Sequence, residues 1–254
     1  MSARVEIVPV RGVPEVAHGD RIGELLTSAL ETAGEELVGS DVVSVSQKAV
    51  SKAEGRVRDL REVEPGGLAR ELAARLDRDP RLVELILRES RRVIRAERNV
   101  LIVETLGGWI CANAGLDASN VPGTEMVTML PADPDGSARR IRAEIAAAAR
   151  VRPAVVVCDS FGRPWRLGQA DVAIGCAGML PLDDWRDRFD RERRPLAATV
   201  IAVADEVAAA ADLARDKDAG IPACIVRGLG RHVSVADGPG ARAIQRPAAE
   251  DLFR

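Results

Sequence analysis

The chain has 254 residues, 46% of them hydrophobic and 30% charged, enough for one large or two small domains with a substantial core and against disorder. Its net charge of -3, with Arg far outnumbering Lys on a background of acids, argues against a general nucleic-acid binder, which would show a basic face. Tyrosine is absent and Phe and Trp number three each, so Ala, Val, Leu and Ile must fill the core.

No apolar run approaches the roughly 20 residues needed to cross a bilayer. The first residues, Met-Ser-Ala-Arg-Val-Glu-Ile, resemble neither a signal peptide nor an anchor. A soluble, cytoplasmic protein is expected, with no membrane and no nucleic acid among its partners. Cys111, Cys158, Cys176 and Cys224 form no C-x-x-C pair, and His18 and His232 are isolated. Structural zinc is therefore not expected.

Residues 5–10 read as a first strand. His18-Gly19-Asp20 leads into a helix over 21–38, with Ile22, Leu25, Leu26, Ala29 and Leu30 on one face, broken at Gly39-Ser40-Asp41. A strand over 42–46 delivers Gln47, Lys48, Ser51 and Lys52 at its exit. Lysines and hydroxyls there suit phosphate, although lysines on a solvated loop are the commoner arrangement. Residues 67–92 read as two helices split at Asp79-Pro80, and strands follow at 93–97 and 99–104. The run from Gly107-Gly108-Trp109 to Asp117-Ala118-Ser119-Asn120 then gathers small residues with an acid, a hydroxyl and an amide in one turn.

After a loop and cap at 131–137, an Ala- and Arg-rich helix over 138–150 reads as peripheral. Ala154 to Cys158 is a buried strand that runs into Asp159, Ser160 and a Gly-Pro turn, with Arg163 and Arg166 around Trp165. An acid in that place can hold a metal and the arginines can hold phosphate oxygens. The plain alternative is a turn-capping Asp. A strand over 171–176, a solvated charged segment over 183–194 and a strand over 199–204 follow. Asp205-Glu206 opens a helix to about residue 214, and 223–226 is the last core strand. Residues 1–237 are expected to form one domain, and 238–254 a loosely ordered tail.

Asp117 and Asp159 stand among hydroxyls, amides and cations, with no useful His or Cys. Such hard oxygen donors suit Mg²⁺ or Mn²⁺ better than zinc. The pattern G-x-x-x-x-G-K-[ST] is absent, and Gly228-Leu229-Gly230 lacks the third glycine and the helix of a dinucleotide fingerprint. From the residues alone, the chain reads as a metal-dependent enzyme that handles phosphate.

Six segments carry a resemblance. They are Val45-Ser46-Gln47-Lys48-Ala49-Val50-Ser51-Lys52-Ala53-Glu54-Gly55-Arg56, Cys111-Ala112-Asn113-Ala114-Gly115-Leu116-Asp117-Ala118-Ser119-Asn120, and Cys158-Asp159-Ser160-Phe161-Gly162-Arg163-Pro164-Trp165-Arg166. The shorter ones are Asp171-Val172-Ala173-Ile174-Gly175, Ala204-Asp205-Glu206 and Val226-Arg227-Gly228. In this order they resemble the coenzyme F420-0:L-glutamate ligase (F420 gamma-glutamyl ligase) family. The resemblance implies an α+β fold with mixed, largely antiparallel sheets and flanking helices, in an intertwined homodimer with its active site near the subunit interface. It implies addition of L-glutamate to the deazaflavin precursor coenzyme F420-0 through a γ-linked amide, with GTP as co-substrate. Mg²⁺ or Mn²⁺ is the implied metal, and K⁺ a further candidate cation.

By the same resemblance the nucleotide positions are Val13, Pro14, Glu15, Val16, Ser46, Gln47, Lys52 and Asn120. The metal positions are Asp117, Asp159 and Ser160. Lys52, with Arg163 and Arg166, is expected to face developing phosphate charge. Arg215-Asp216 departs from the family pattern, which has Met-Gly there. The alternatives are an amide ligase of the same fold acting on another carboxylate, or a nucleotide-binding paralogue that does not catalyse. With so few aromatics, apolar surface on 93–104 and 170–178 is also expected to need cover from a second copy.

Overall fold

The computed structural model describes residues 4–119, 123–216 and 218–252. The first third of the chain holds β1 (Glu6–Pro9), α1 (Ile22–Ala33), β2 (Val42–Ser46), α2 (Gln47–Ala53) and β3 (Val57–Asp59). Next come α3 (Gly67–Leu76), α4 (Pro80–Arg88), β4 (Ser90–Glu97), β5 (Val100–Thr105), β6 (Ile110–Ala112) and β7 (Met126–Thr128). The remainder is α5 (Pro134–Ala149), β8 (Ala154–Arg163), β9 (Arg166–Ala177), β10 (Asp183–Asp184), β11 (Val200–Ile201), α6 (Val203–Asp212) and β12 (Ala223–Arg227).

Five strands form the main sheet in the order β1-β12-β2-β8-β9. Its pairs are antiparallel except β2 with β8, which run parallel from Val42↔Ala154 to Ser46↔Cys158. Period-two alternation splits β8 between two cores. Val155 and Val157 face Leu26, Ile141 and Ile145 of α1 and α5, whereas Ala154, Val156 and Cys158 face Val203, Val207 and Ala211 of α6. Both faces of the sheet are therefore covered, which is why β2 and β8 read as unbroken apolar runs. Fully burying each such side chain contributes about 1.5–3 kcal/mol. A smaller antiparallel sheet, β4-β5-β6, packs Leu101 and Val103 against Leu72, Leu76, Val83 and Ile86 of α3 and α4. The expected α+β class, with mixed and antiparallel sheets flanked by helices, is the class observed.

Several local expectations differ from the structure. Helix α1 stops at Ala33 because Gly34, at φ 68°, takes the left-handed cap position and donates its N–H to Glu31 and Leu30 carbonyls. The predicted strand over 199–204 is cut short at Ile201 by the start of α6. Helix α5 is central rather than peripheral. Arg142 is fully buried and donates to the carbonyl of Pro153 at 2.8 Å and to Asp237 Oδ1 at 2.5 Å. Asp135, in its first turn, accepts from the N–H groups of Cys176 and Ala241 at 2.9 and 2.7 Å. An Ala/Arg composition looks solvated, but here alanines give close packing and the arginine ties down the chain between Ser234 and Asp237. Segments 93–104 and 170–178 also bury their main apolar residues within the chain: Leu101, Val103, Ala173, Ile174 and Cys176 are at most 1% exposed. Among the described residues, no helix is long and apolar enough to cross a membrane.

Helix α5 can approach β9 because Gly175 has no side chain. A Cβ there would lie 2.3 Å from the carbonyl carbon and oxygen of Pro134, so backbone would have to move. Gly175→Ala should therefore lower the urea midpoint by the equivalent of about 1–3 kcal/mol, the usual cost of overpacking, at unchanged m-value. An unaltered midpoint would show that α5 yields freely.

Candidate active site

Strand β2 stops beside Cys158, but β8 does not. It continues through Asp159 and Ser160 to Arg163, paired only with β9, and turns at Pro164-Trp165, where Trp165 has φ 60°. Asp159 is thus the first residue past the parallel pair and not, as expected, the entry to a turn. Ligands of open sheets settle outside the carboxyl ends of such strands. A cleft of about 1020 Å³ lies there, between the loop after β1, the start of α2, the turn after β6, the β8–β9 ribbon and the segment after α6.

Each wall has a local cause. Helix α2 carries Lys48 and Lys52 four residues apart, so both ammonium groups leave the same face. Lys48 Nζ donates to Asp117 Oδ2 at 2.8 Å and Ser119 Oγ at 2.6 Å, and Lys52 Nζ to Glu15 Oε1 at 2.5 Å. Asp117 reaches the cleft because Asn113, Ala114 and Gly115 all adopt positive φ (54°, 54° and 70°), a bend that small residues permit. Its backbone is then pinned by reciprocal bonds with Thr128. Ser160 Oγ donates to Asp171 Oδ1 at 2.5 Å across the ribbon, and the guanidinium of Arg215 grips the other oxygen of Asp171.

The two candidate metal acids are pushed in opposite directions. Burial, with the negative charges of Asp171 and Asp117 adding to it, raises Asp159 to about 7 against the pull of the Ser160 N–H and Lys48. Burial raises Asp117 as well, but Lys48 and Ser119 outweigh it and hold that carboxyl below its usual value. Cys111 and Cys158 also line the cleft, and burial pushes both thiols up to about 12. Neither is a thiolate at neutral pH, so neither is a ready nucleophile.

Of the sequence-predicted residues, Val13, Pro14, Glu15, Val16, Ser46, Lys52, Asp117, Asp159 and Ser160 line this cleft. Gln47 lies beneath it, fully buried, with Nε2 donating to Ser51 Oγ and the Met129 carbonyl. Arg163 and Arg166 sit at the far end of the ribbon and do not line the cleft; Arg163 donates to the Leu167 carbonyl at 2.7 Å. Asn120 lies outside the described residues. Sequence reasoning set Lys48 at the exit of β2 as suited to phosphate and noted Arg215 as a departure from the family pattern, but gave neither of them, nor Asp171, a place among the site residues. Lys48 had a signal: the chain contains only three lysines, Lys48, Lys52 and Lys217, among 36 basic residues. The pairing of Asp171 with Arg215 had none, since only the folded chain brings them together.

Among the described residues, no three His, Cys, Asp or Glu side chains gather as a metal-binding group. The cleft instead offers the carboxylates of Asp117 and Asp159 and the hydroxyl of Ser160. These are hard oxygen donors, and the raised Asp159 marks a carboxylate short of positive charge. They fit a Mg²⁺-like ion, which takes one or two carboxylates and completes its shell with phosphate oxygens and water.

A cleft at the ends of paired strands, lined by carboxylates and ammonium groups, defines a small-molecule enzyme of the α+β class. Residues 12–228 match the family model described as F420-0:Gamma-glutamyl ligase. The chain is 42% identical over 251 residues to the coenzyme F420:L-glutamate ligase of Methanothermobacter thermautotrophicus, covering 98% of this chain and 99% of that one. It is 41% identical over 253 residues to the ligase of the same name from Methanopyrus kandleri, covering 99% and 97%. With that from Haloarcula marismortui it shares 42% over 257 residues, covering 98% and 96%. The chain belongs to the F420-0:gamma-glutamyl ligase family.

The shift at Asp159 has a sign that can be measured. Its folded pKa of about 7 lies above the unfolded value of 3.8, so the folded state holds the extra proton between them. The stability this contributes is complete below about pH 4 and lost as pH rises to about 7. Without added metal, Asp159→Asn should flatten the fall in melting temperature across that window. Mn²⁺ should stabilise the native chain more at pH 8 than at pH 6. Identical pH profiles for the two proteins would place the titration elsewhere.

Proposed function

We propose that this chain is a GTP- and divalent-metal-dependent ligase that joins L-glutamate to coenzyme F420-0 by a γ-linked amide. The observation that carries this reading is the convergence of Asp117, Asp159, Ser160, Lys48 and Lys52 on one cleft, in a chain that matches ligases of that name end to end. A carboxylate does not react with an amine until one of its oxygens becomes a leaving group. The γ-phosphoryl of GTP would pass to the acceptor carboxylate, leaving GDP and an acyl phosphate. The glutamate amine then attacks the acyl carbon, a C–N bond forms, phosphate departs, and the amine loses its proton. No protein nucleophile is needed, which agrees with the neutral thiols.

Positioning and charge neutralisation supply most of the rate in phosphoryl transfer. Lys52 and Lys48 would face phosphate oxygens in exchange for the carboxylates of Glu15 and Asp117 that they hold. Val13, Pro14, Val16, Ser46 and Asn120 would contact the nucleotide, with Gln47 supporting Ser46 and α2 from below. Asp117, Asp159 and Ser160 would hold the metal, which supplies Lewis-acid neutralisation of the phosphates. Arg163 and Arg166 are too far along the ribbon to line the cleft of their own chain. We assign them to the homodimer, in which the ribbon would meet a second copy. Trp165 and Leu167 at its tip are 82% and 97% exposed, which supports such a contact.

The direct assay is incubation with F420-0, L-glutamate and GTP, read by mass spectrometry. One added glutamyl group per GDP and phosphate is expected. GTP turnover with another carboxylate acceptor but not with F420-0 would favour the alternative ligase. Lys52→Ala should lower kcat/KM on the order of 10²-fold, the range for losing one charge-stabilising donor, with an unchanged melting temperature. Wild-type kinetics in that variant would return Lys52 to a solvated ion pair. Light scattering should report a dimer of the 27.1 kDa chain that loses activity on dilution, and a fully active monomer would refute the assembly.

A further inference from the structure

From Ser160, one of the metal positions, a chain of side chains runs through Asp171 to Arg215 along the same cleft. Ser160 on β8 and Asp171 on β9 are direct cross-strand partners. Ser160 Oγ donates its hydrogen to Asp171 Oδ1 at 2.5 Å. The second oxygen, Oδ2, accepts from Arg215 Nη2, which also lies 3.1 Å from Cys158 Sγ. The Arg215 and Asp171 side chains are each only 6% exposed. Arg215 Nε is buried and has no hydrogen-bond partner among the described residues. An interior guanidinium left partly unsatisfied is a cost that local packing does not explain. It is expected where a group is held for function.

A hydroxyl has one hydrogen and two lone pairs. With the hydrogen given to Asp171, Ser160 Oγ can meet anything else only through its lone pairs. That polarity suits a cation and opposes an anionic oxygen. Arg215 makes the arrangement one-way, because it occupies the only other oxygen of Asp171 and is itself a donor without acceptor capacity.

We propose that Asp171, clamped by Arg215, is a positioning residue that fixes the polarity of Ser160 so that Oγ presents a lone pair to the cation held by Asp117 and Asp159. The inference rests on the metal reading above. Asp171→Asn inverts the polarity at almost constant shape. Arg215 claims the single amide oxygen, the amide N–H₂ faces Ser160, and the serine hydrogen turns away towards the cleft.

The test is Mn²⁺ binding to the full chain, followed by the EPR signal of free Mn²⁺ at one fixed pH. Asp171→Asn should weaken binding about 10–100-fold, the usual effect of losing a partner behind a metal ligand. In a Ser160→Ala background the same change should cost nothing further. An Asp171→Asn/Arg215→Met double variant avoids an unpaired buried charge, which otherwise threatens folding. It also frees the amide to turn its oxygen to Ser160, so it should bind Mn²⁺ more tightly than Asp171→Asn alone. Wild-type affinity in Asp171→Asn, an undiminished loss in the Ser160→Ala background, or a double variant no better than the single one would each overturn the proposal. Asp159→Asn is the control on the reading beneath it. Unchanged Mn²⁺ affinity there would remove the metal site and the inference together, whereas a large loss there beside a silent Asp171→Asn would remove the inference alone.

Discussion

Strands β2 and β8 run side by side in the same direction, and one of them ends before the other. Parallel pairing needs both faces covered, and α1 with α5 on one side and α6 on the other provide the cover. It also puts the carboxyl ends of two strands together, so α2 and the free length of β8 diverge from a common point. The cleft is the space between them. Lys48 and Lys52 come from the strand that stops, and Asp159 and Ser160 from the strand that continues. Shifting β8 by one residue would exchange its two core faces and carry Asp159 to the opposite side of the sheet. Core and site are thus set by one register.

Charge in the cleft is arranged in pairs of unequal tightness. Lys48 with Asp117 and Lys52 with Glu15 are accessible ion pairs, which contribute little to stability and exchange partners readily. Arg215 with Asp171 is closed off and fixed. Asp159 has neither arrangement among the described residues: burial and two neighbouring acids raise it to about 7. A site with loosely held ammonium groups and one carboxylate lacking a counter-charge is prepared for a ligand that brings negative phosphates together with a cation. The same cleft is poorly suited to covalent catalysis, since its thiols are held neutral by the core around them.

Much of this was legible in the sequence because its cause is local. Apolar runs at 42–46 and 154–158, the Asp79-Pro80 helix break and the small residues before Asp117 each gave the right element in nearly the right place. What escaped depended on partners distant in sequence. Helix α5 looked peripheral because its alanines and arginines resemble a solvated surface; burial of Arg142 depends on carbonyls around residue 235. Arg163 and Arg166 looked like phosphate ligands because they follow Asp159 closely. Strand geometry then carries them away along the ribbon at about 3.3 Å per residue. Asp171 and Arg215 could not be paired from sequence, as 44 positions separate them. The spare use of lysine was visible throughout and marked Lys48 beside Lys52.

The central claim is that Asp117 and Asp159, 42 residues apart in sequence, hold one cation site against which a nucleotide phosphate is placed. Anomalous diffraction from crystals grown with Mn²⁺ and a non-hydrolysable GTP analogue tests it most directly. The account predicts anomalous density within about 2.0–2.6 Å of a carboxylate oxygen from each acid, the range for hard cations and oxygen ligands, with a phosphate oxygen in the same shell. Density elsewhere, or a nucleotide bound outside this cleft with both acids uncoordinated, would contradict it.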